Sequence, residues 1–362
     1  MNKQWKKLTK NPFLSDYFVI IFFPAVVAWH YHEGQAVRLM LVCVAAAAAF
    51  EALFQGVVCQ YALKKPKKQD FPLAIFMGLC TAMAMPVSAP LWFPVFGLLF
   101  GFAVASFAVP FVSKWVPFFT KVQIMPAVAA IAFLSFFRKT MFAYTPYLAA
   151  GASGTELETL SVLPSLGYML KNGAFPAKGM YSSGDILTGA VTGPVGAACI
   201  VVLLAAFAYL LLRRPAFILA PTSFLLTAAV WAFLFPRGQV GRLASVGYEL
   251  SAGVLLFTAV FLLSLPRFLP RDHRHKLIYG AVCALLTMLL RRIGPFEETV
   301  CAAIFIMSFT LPFFNRRAAQ PVRARRVKRE KPAQPESARP NILKTPPTQE
   351  EILEKFLKDK ER

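Results

Sequence analysis

Charge is scarce in this sequence: Asp, Glu, Lys and Arg make up 16% of its 362 residues, while hydrophobic types make up 57% and Phe alone occurs 35 times. That shortage excludes an ordinary soluble domain and predicts an all-α polytopic membrane protein. Acids are the scarcer sign, 18 against 39 Lys and Arg, for a net charge of +21. The excess gathers at the ends of apolar runs and in the C-terminal tail, as orientation in a bilayer requires, so no folded basic face is left to bind nucleic acid. Paired cysteines are missing too: Cys43, Cys59, Cys80, Cys199, Cys283 and Cys301 stand singly in apolar runs with no C-x-x-C spacing. They read as small buried apolar residues, the other reading being a metal site shared between segments, with Cys80 and Cys283 its first pair. No nucleophile triad, phosphate-binding loop or dinucleotide fingerprint occurs, which leaves a hydrolase or ATPase without support. The basic start, Met1 to Lys7, is followed by no small-residue cleavage site, so no cleavable signal peptide is expected.

What is present is a series of apolar runs, each near the ~20 residues that a helix needs to cross a bilayer. Residues 1–16 form a basic cytoplasmic N-terminus, 17–137 a first membrane half of five spans, and 188–315 a second half of five. The runs of the first half are Tyr17–Tyr31, Val37–Leu63, Phe71–Ala89, Leu91–Val112 and Ile124–Phe137, with a re-entrant piece, Trp115–Phe119, before the last. Pro86 and Pro90 punctuate the third and fourth and predict a tight turn or a broken helix at membrane depth. Runs at 189–212, 216–235, 248–266, 277–290 and 297–314 make up the second half. With both termini in the cytoplasm, ten crossings put the Lys64–Lys68 cluster, Arg213, Arg214, Arg267, Arg271, Arg274 and Lys276 inside. An odd number of spans per half requires any internal repeat to be inverted across the membrane plane. The segment 138–187 is then an extracytoplasmic loop, too long for a bare connection. Residues 316–362 form a basic, mostly disordered cytoplasmic tail, and Thr348 to Glu351 have capping-box spacing before a short C-terminal helix.

Within the spans, Glu51 is the acid that stands out. A carboxylate there serves ion or proton passage, or else a hydrogen bond to a neighbouring helix. Glu249, Glu297 and Glu298 fall nearer an interface, where water reaches them. His30 and His32 are two apart on a helix and do not face one ion. The lead-in to the sixth span, Thr188 to Gly196, carries Gly189, Gly193 and Gly196. As the N-terminus of a helix it would offer N–H groups to an anion such as a phosphate, and as a small-residue stripe it would pack a neighbouring helix.

Several stretches together resemble a known family. These are Phe50 to Leu53, the turn Met85 to Gly97 with Pro86, Pro90, Trp92, Phe93 and Pro94, the lead-in Gly193 to Gly196, and Ile278 to Arg292. In order and spacing they are similar to the RnfD membrane component of Rnf-type electron-transport complexes and to its relative, the NqrB component of the sodium-pumping NADH:quinone oxidoreductase. The resemblance implies ten spans in two inverted halves, FMN joined through its phosphate to a threonine in an outer Ser-Gly-Ala-Thr motif, and a second, non-covalent flavin (riboflavin). Here the motif reads Ser153-Gly154-Thr155, one small residue shorter and followed by Glu156. Thr155 would inherit the attachment, with Ser153 and Gly154 beside it, and Lys139, Gly193 and Gly196 would attend the phosphate. Glu51 would lie on the ion path. The implied function is a flavin-carrying subunit that relays electrons and couples them to Na+ or H+ translocation. Its implied partners are the other membrane subunits and a flavin transferase. A solute channel or transporter on the same inverted fold, or a flavin-free scaffold subunit, are the alternatives that the residues leave open.

Overall fold

The computed structural model describes residues 12–58, 69–142, 165–171, 183–237, 241–294 and 298–316. Among these residues there is no strand, and the fold is a bundle of apolar helices. The longest, α1 (Pro12–Glu51), is one helix by hydrogen bonding but breaks at Glu33, whose φ of 49° no α-helix contains. The break makes two helical arms of it and falls between the two runs that the sequence predicts, Tyr17–Tyr31 and Val37–Leu63. Its apolar stretch, Leu14–Gly56, spans 43 residues, about 65 Å at helical rise and enough to cross a ~30 Å core twice.

The other described α-helices of seven or more residues follow in order: α2 (Phe71–Met83), α3 (Trp92–Phe102), α4 (Pro126–Leu134), α5 (Ile200–Arg213), α6 (Pro215–Leu234), α7 (Arg242–Ser251), α8 (Leu255–Phe261), α9 (His273–Ile293) and α10 (Val300–Ser308), and a short helix, Leu311–Arg316, ends the described chain. Proline at the first turn of α2, α4 and α6 suits positions whose N–H has no partner inside the helix. Among the described residues, three helical stretches are long and apolar enough to cross a membrane: Leu14–Gly56, Trp92–Val112 and Pro215–Leu234. Helices α7 and α8, bent by 60°, make a fourth if taken as one broken span. The outer surfaces are apolar, with Phe22, Leu41, Leu212 and Leu226 all more than 60% exposed. In water such a surface would be a liability, and in lipid it is the ordinary exterior.

Three expectations change. The re-entrant piece is a 3-10 turn at Pro117–Lys121, and Trp115 beside it is exposed. The sixth run does not become helical at residue 189: Gly189 has φ 93° and the helix starts at Ile200. The eighth starts earlier than expected and is interrupted, because Gly253 at φ 62° ends one helix and turns the chain into the next.

The two irregular segments are sewn together. Val195 N–H donates to the Met85 carbonyl at 3.0 Å, and Gly196 N–H to the Met83 carbonyl at 2.9 Å. Unpaired backbone groups inside lipid cost several kcal/mol each, so two broken segments of a membrane bundle are best placed against each other. Further polar ties join distant parts of the chain: Tyr17 Oη donates to the Ser264 carbonyl at 2.9 Å, and Arg214 Nε meets Asp16 Oδ2 at 2.9 Å.

Candidate functional site

Two polar chambers interrupt this apolar bundle. The first surrounds Glu51, which ends α1 and is 6% exposed. Immediately after it the chain winds into a π-helix, Ala52–Val58, and on the facing helix α3 gives way to a second, Ala103–Ala108. Wider π turns re-aim side chains that an α-helix would send elsewhere, and they recur at functional positions. Here they aim Gln55 and Ser106 at each other: Gln55 Nε2 donates to Ser106 Oγ at 3.1 Å. The Asp70 N–H, just before α2, donates to Glu51 Oε1 at 3.0 Å. Gln55 Oε1 is buried and has no hydrogen-bond partner among the described residues, a condition that normally costs ~1–3 kcal/mol and asks for an explanation. A cavity of about 70 Å³ lies between these groups, lined also by Phe102, Asp70 and Arg267.

The second chamber lies at the far end of the bundle, under a buried ion cluster. Arg291, 3% exposed, is its hub. Its Nη1 donates to Glu249 Oε2 at 3.0 Å and to the Glu249 carbonyl at 3.0 Å, and its Nη2 to the Ala252 carbonyl at 2.9 Å and to Glu298 Oε2 at 3.4 Å. Arg237 closes the other side of Glu249 with both Nε and Nη2, the latter at 2.7 Å, and reaches the Arg291 carbonyl at 3.3 Å. Two guanidinium groups and two carboxylates balance to zero formal charge, which is what makes such burial tolerable. The expectation that Glu249 and Glu298 are solvated is therefore corrected: they are 3% and 5% exposed and held by arginine. Arg291 was legible only as the basic end of a span. Glu297 lies outside the described residues. The chamber beside Glu298 holds about 10 Å³ and is lined by Ser165, Thr192, Gly193, Ser251 and Gly253, room for one water-sized guest.

Of the residues singled out from sequence, Glu51 sits in the first chamber and Gly193 lines the second. Gly196 is not a helix N-terminal anion donor: its N–H is taken by Met83, and a Cβ there would lie 2.0 Å from the Met83 sulfur. Its missing side chain serves close packing. Lys139 is exposed on the short helix Arg138–Met141 and lines neither chamber. Ser153, Gly154 and Thr155 lie outside the described residues. The described cysteines are all buried and free, and no group of three or more His, Cys, Asp or Glu among the described residues could hold a metal ion.

The fit to a flavin can be tested on these groups. Within the 189–199 segment the Val195 and Gly196 N–H groups are already committed to the Met85 and Met83 carbonyls, so neither is offered to a flavin phosphate.

Comparison with known proteins agrees with this architecture. The chain matches the NQR2, RnfD, RnfE family over residues 13–323. It is 28% identical over 301 residues to the D component of the Na+-translocating ferredoxin:NAD+ oxidoreductase complex of Acetobacterium woodii, covering 82% of this chain and 86% of that one. It is 26% identical to the D component of the ion-translocating oxidoreductase complex of Shigella dysenteriae and 27% identical to that of Escherichia coli, each alignment covering 81% of this chain and 88% of the relative. With the match running from the start of α1 past the last described helix, the chain belongs to the NQR2, RnfD, RnfE family.

Proposed function

We propose that this chain is the flavin-carrying membrane subunit of an Rnf-type complex, and that the Glu51 chamber lies on the path of the translocated Na+ or H+. The observation that carries the ion path is the chamber itself: a buried carboxylate, an unpartnered amide oxygen and a hydroxyl facing one small cavity in an apolar bundle. Oxygen-only ligands suit a hard cation, and about 70 Å³ accommodates one with a few waters. In this reading Glu51 supplies the charge or holds the proton, the Asp70 N–H orients its carboxylate, and Gln55 Oε1 offers the second oxygen. Flavin, where bound through Thr155, supplies one- and two-electron redox chemistry, while the protein supplies position and electrostatics. The other subunits of the complex and a flavin transferase are the partners that this reading requires.

The test compares wild-type complex with Thr155→Ala and Glu51→Gln variants. A fluorescent band on a denaturing gel under ultraviolet light is expected for wild type and Glu51→Gln, and none for Thr155→Ala. Glu51→Gln should weaken the apparent affinity for the driving cation by about 10- to 100-fold, the scale of losing a group that supports an ion site. A dark wild-type band removes covalent FMN and favours the scaffold role. Unchanged cation dependence in Glu51→Gln removes the ion path.

A further inference from the structure

The Glu51 chamber has a neighbour. A larger cavity of about 410 Å³ is lined by Leu14, Asp70, Leu73, Leu265, Pro266, Arg267 and Phe268. Four of these residues, Asp70, Leu73, Arg267 and Phe268, also line the Glu51 chamber, so they form the partition between the two. Across that partition Arg267 Nη1 meets Asp70 Oδ2 at 3.1 Å, with the guanidinium carbon 5.9 Å from the centre of the Phe268 ring. We propose that Arg267 is an electrostatic gate on the Glu51 chamber, closed when it pairs with Asp70 and opened when it withdraws into the larger vestibule. The proposal rests on the ion-path reading of Glu51 and adds to it the residue that controls entry.

Three observations support it. A fixed cation on the wall of a chamber built to take a cation repels the guest, so occupancy and the closed position of Arg267 oppose each other. The pair is also of the kind that opens: the Arg267 and Asp70 side chains are 42% and 34% exposed, and exposed pairs are favoured over separation by a factor of only about one to five. The Arg291 pairs, with side chains 2–4% exposed, are locked by contrast. Finally, Asp70 touches both parts: its carboxylate holds the gate and its N–H holds the Glu51 carboxylate. A shift of this one residue therefore changes gate and ligand together.

Access can be read without any assay of ion coupling. Ala105 lines the chamber. An Ala105→Cys chain with Cys59→Ala, assembled in its complex in inverted membrane vesicles, is treated with a small cationic thiol reagent and with a neutral one of similar size. Arg267→Gln should raise the cationic labelling rate by about tenfold, as relief of a local like charge does, and Asp70→Asn, which keeps the N–H to Glu51 but lets Arg267 withdraw into the vestibule, should raise it as well. The neutral reagent should gain less, and Arg267→Lys should stay near the parent rate. Equal cationic rates in the parent, Arg267→Gln and Asp70→Asn chains would overturn the gate, and so would a rise that is the same for both reagents. Because the readout is accessibility, a failed gate and a failed ion path give separate results.

Discussion

At the scale of single residues, two glycines of the second chamber make opposite forecasts. Gly253 sits at φ 62°, and a Cβ there would lie 1.1 Å from Glu298 Oε1. Gly253→Ala must therefore strain the backbone and push Glu298 away from Arg291. A non-glycine residue held in the left-handed region costs about 1–3 kcal/mol, so the variant should lose several degrees of thermal midpoint in detergent. Gly193 lines the same chamber, yet a Cβ there meets nothing within 4 Å. Gly193→Ala should change stability by no more than about 0.5 kcal/mol. Equal midpoints for the two variants would contradict the geometry. Residues of this kind mark the limit of the sequence. Glu51 stood out because an acid in an apolar run has few bland explanations. Arg291 resembled any positive flank, since its two carboxylate partners lie 42 and 7 residues away, and only folding brings them together.

Among elements, the π-helical segments decide where the chemistry points. An α-helix carried through Ala103–Ala108 would rotate the following residues by about 100° for each residue removed. Deleting Val104 should restore α-helical winding and swing Ser106 away from Gln55, undoing the 3.1 Å bond between the two π segments. The expected outcome is a chain that keeps its helical circular dichroism and its assembly into the complex, but shows the weakened cation dependence expected of Glu51→Gln. Retained cation dependence would mean that the winding is incidental. Nothing in Ala103–Ala108 announces a π turn, because Ala, Val, Ser and Phe suit either winding and no Pro or Gly marks the place. The break after α2 was legible, since Pro86 and Pro90 forbid a continuous helix. The glycine-rich lead-in to α5 was not, because small residues serve a helix start and a packed non-helical segment equally well.

For the molecule as a whole, the contacts divide the bundle into two ends. Leu14, near the start of α1, shares a cavity wall with Arg267, and four residues further on the Arg271 N–H donates to Asn315 Oδ1 at 3.2 Å. The first and last described helices thus leave the bundle at the same end. At the opposite end of the first arm of α1, Tyr31 Oη donates to the Thr188 carbonyl at 3.2 Å, so the segment leading into α5 meets the chain where it turns at Glu33. A bundle whose two chain ends emerge together makes an even number of crossings, a requirement that the predicted ten would meet. Only the long helices declare a crossing by length; α2, α4 and α10, at 13, 9 and 9 residues, are too short to do so alone. After α2 the chain goes on in a broken segment, Met83–Met85, paired with Val195–Gly196, which a hydropathy window cannot weigh. The five crossings that the sequence predicts on either side of position 155 put it on the face away from both termini. A single cysteine at 155 should react with a membrane-impermeant thiol reagent in right-side-out vesicles and be protected in inverted ones, while a cysteine at 318 shows the reverse. Labelling of both positions from the same side would contradict the predicted five crossings between them and the layout in which Thr188 lies beside Tyr31, at the end of that arm away from Leu14, while Asn315 lies at the Leu14 end.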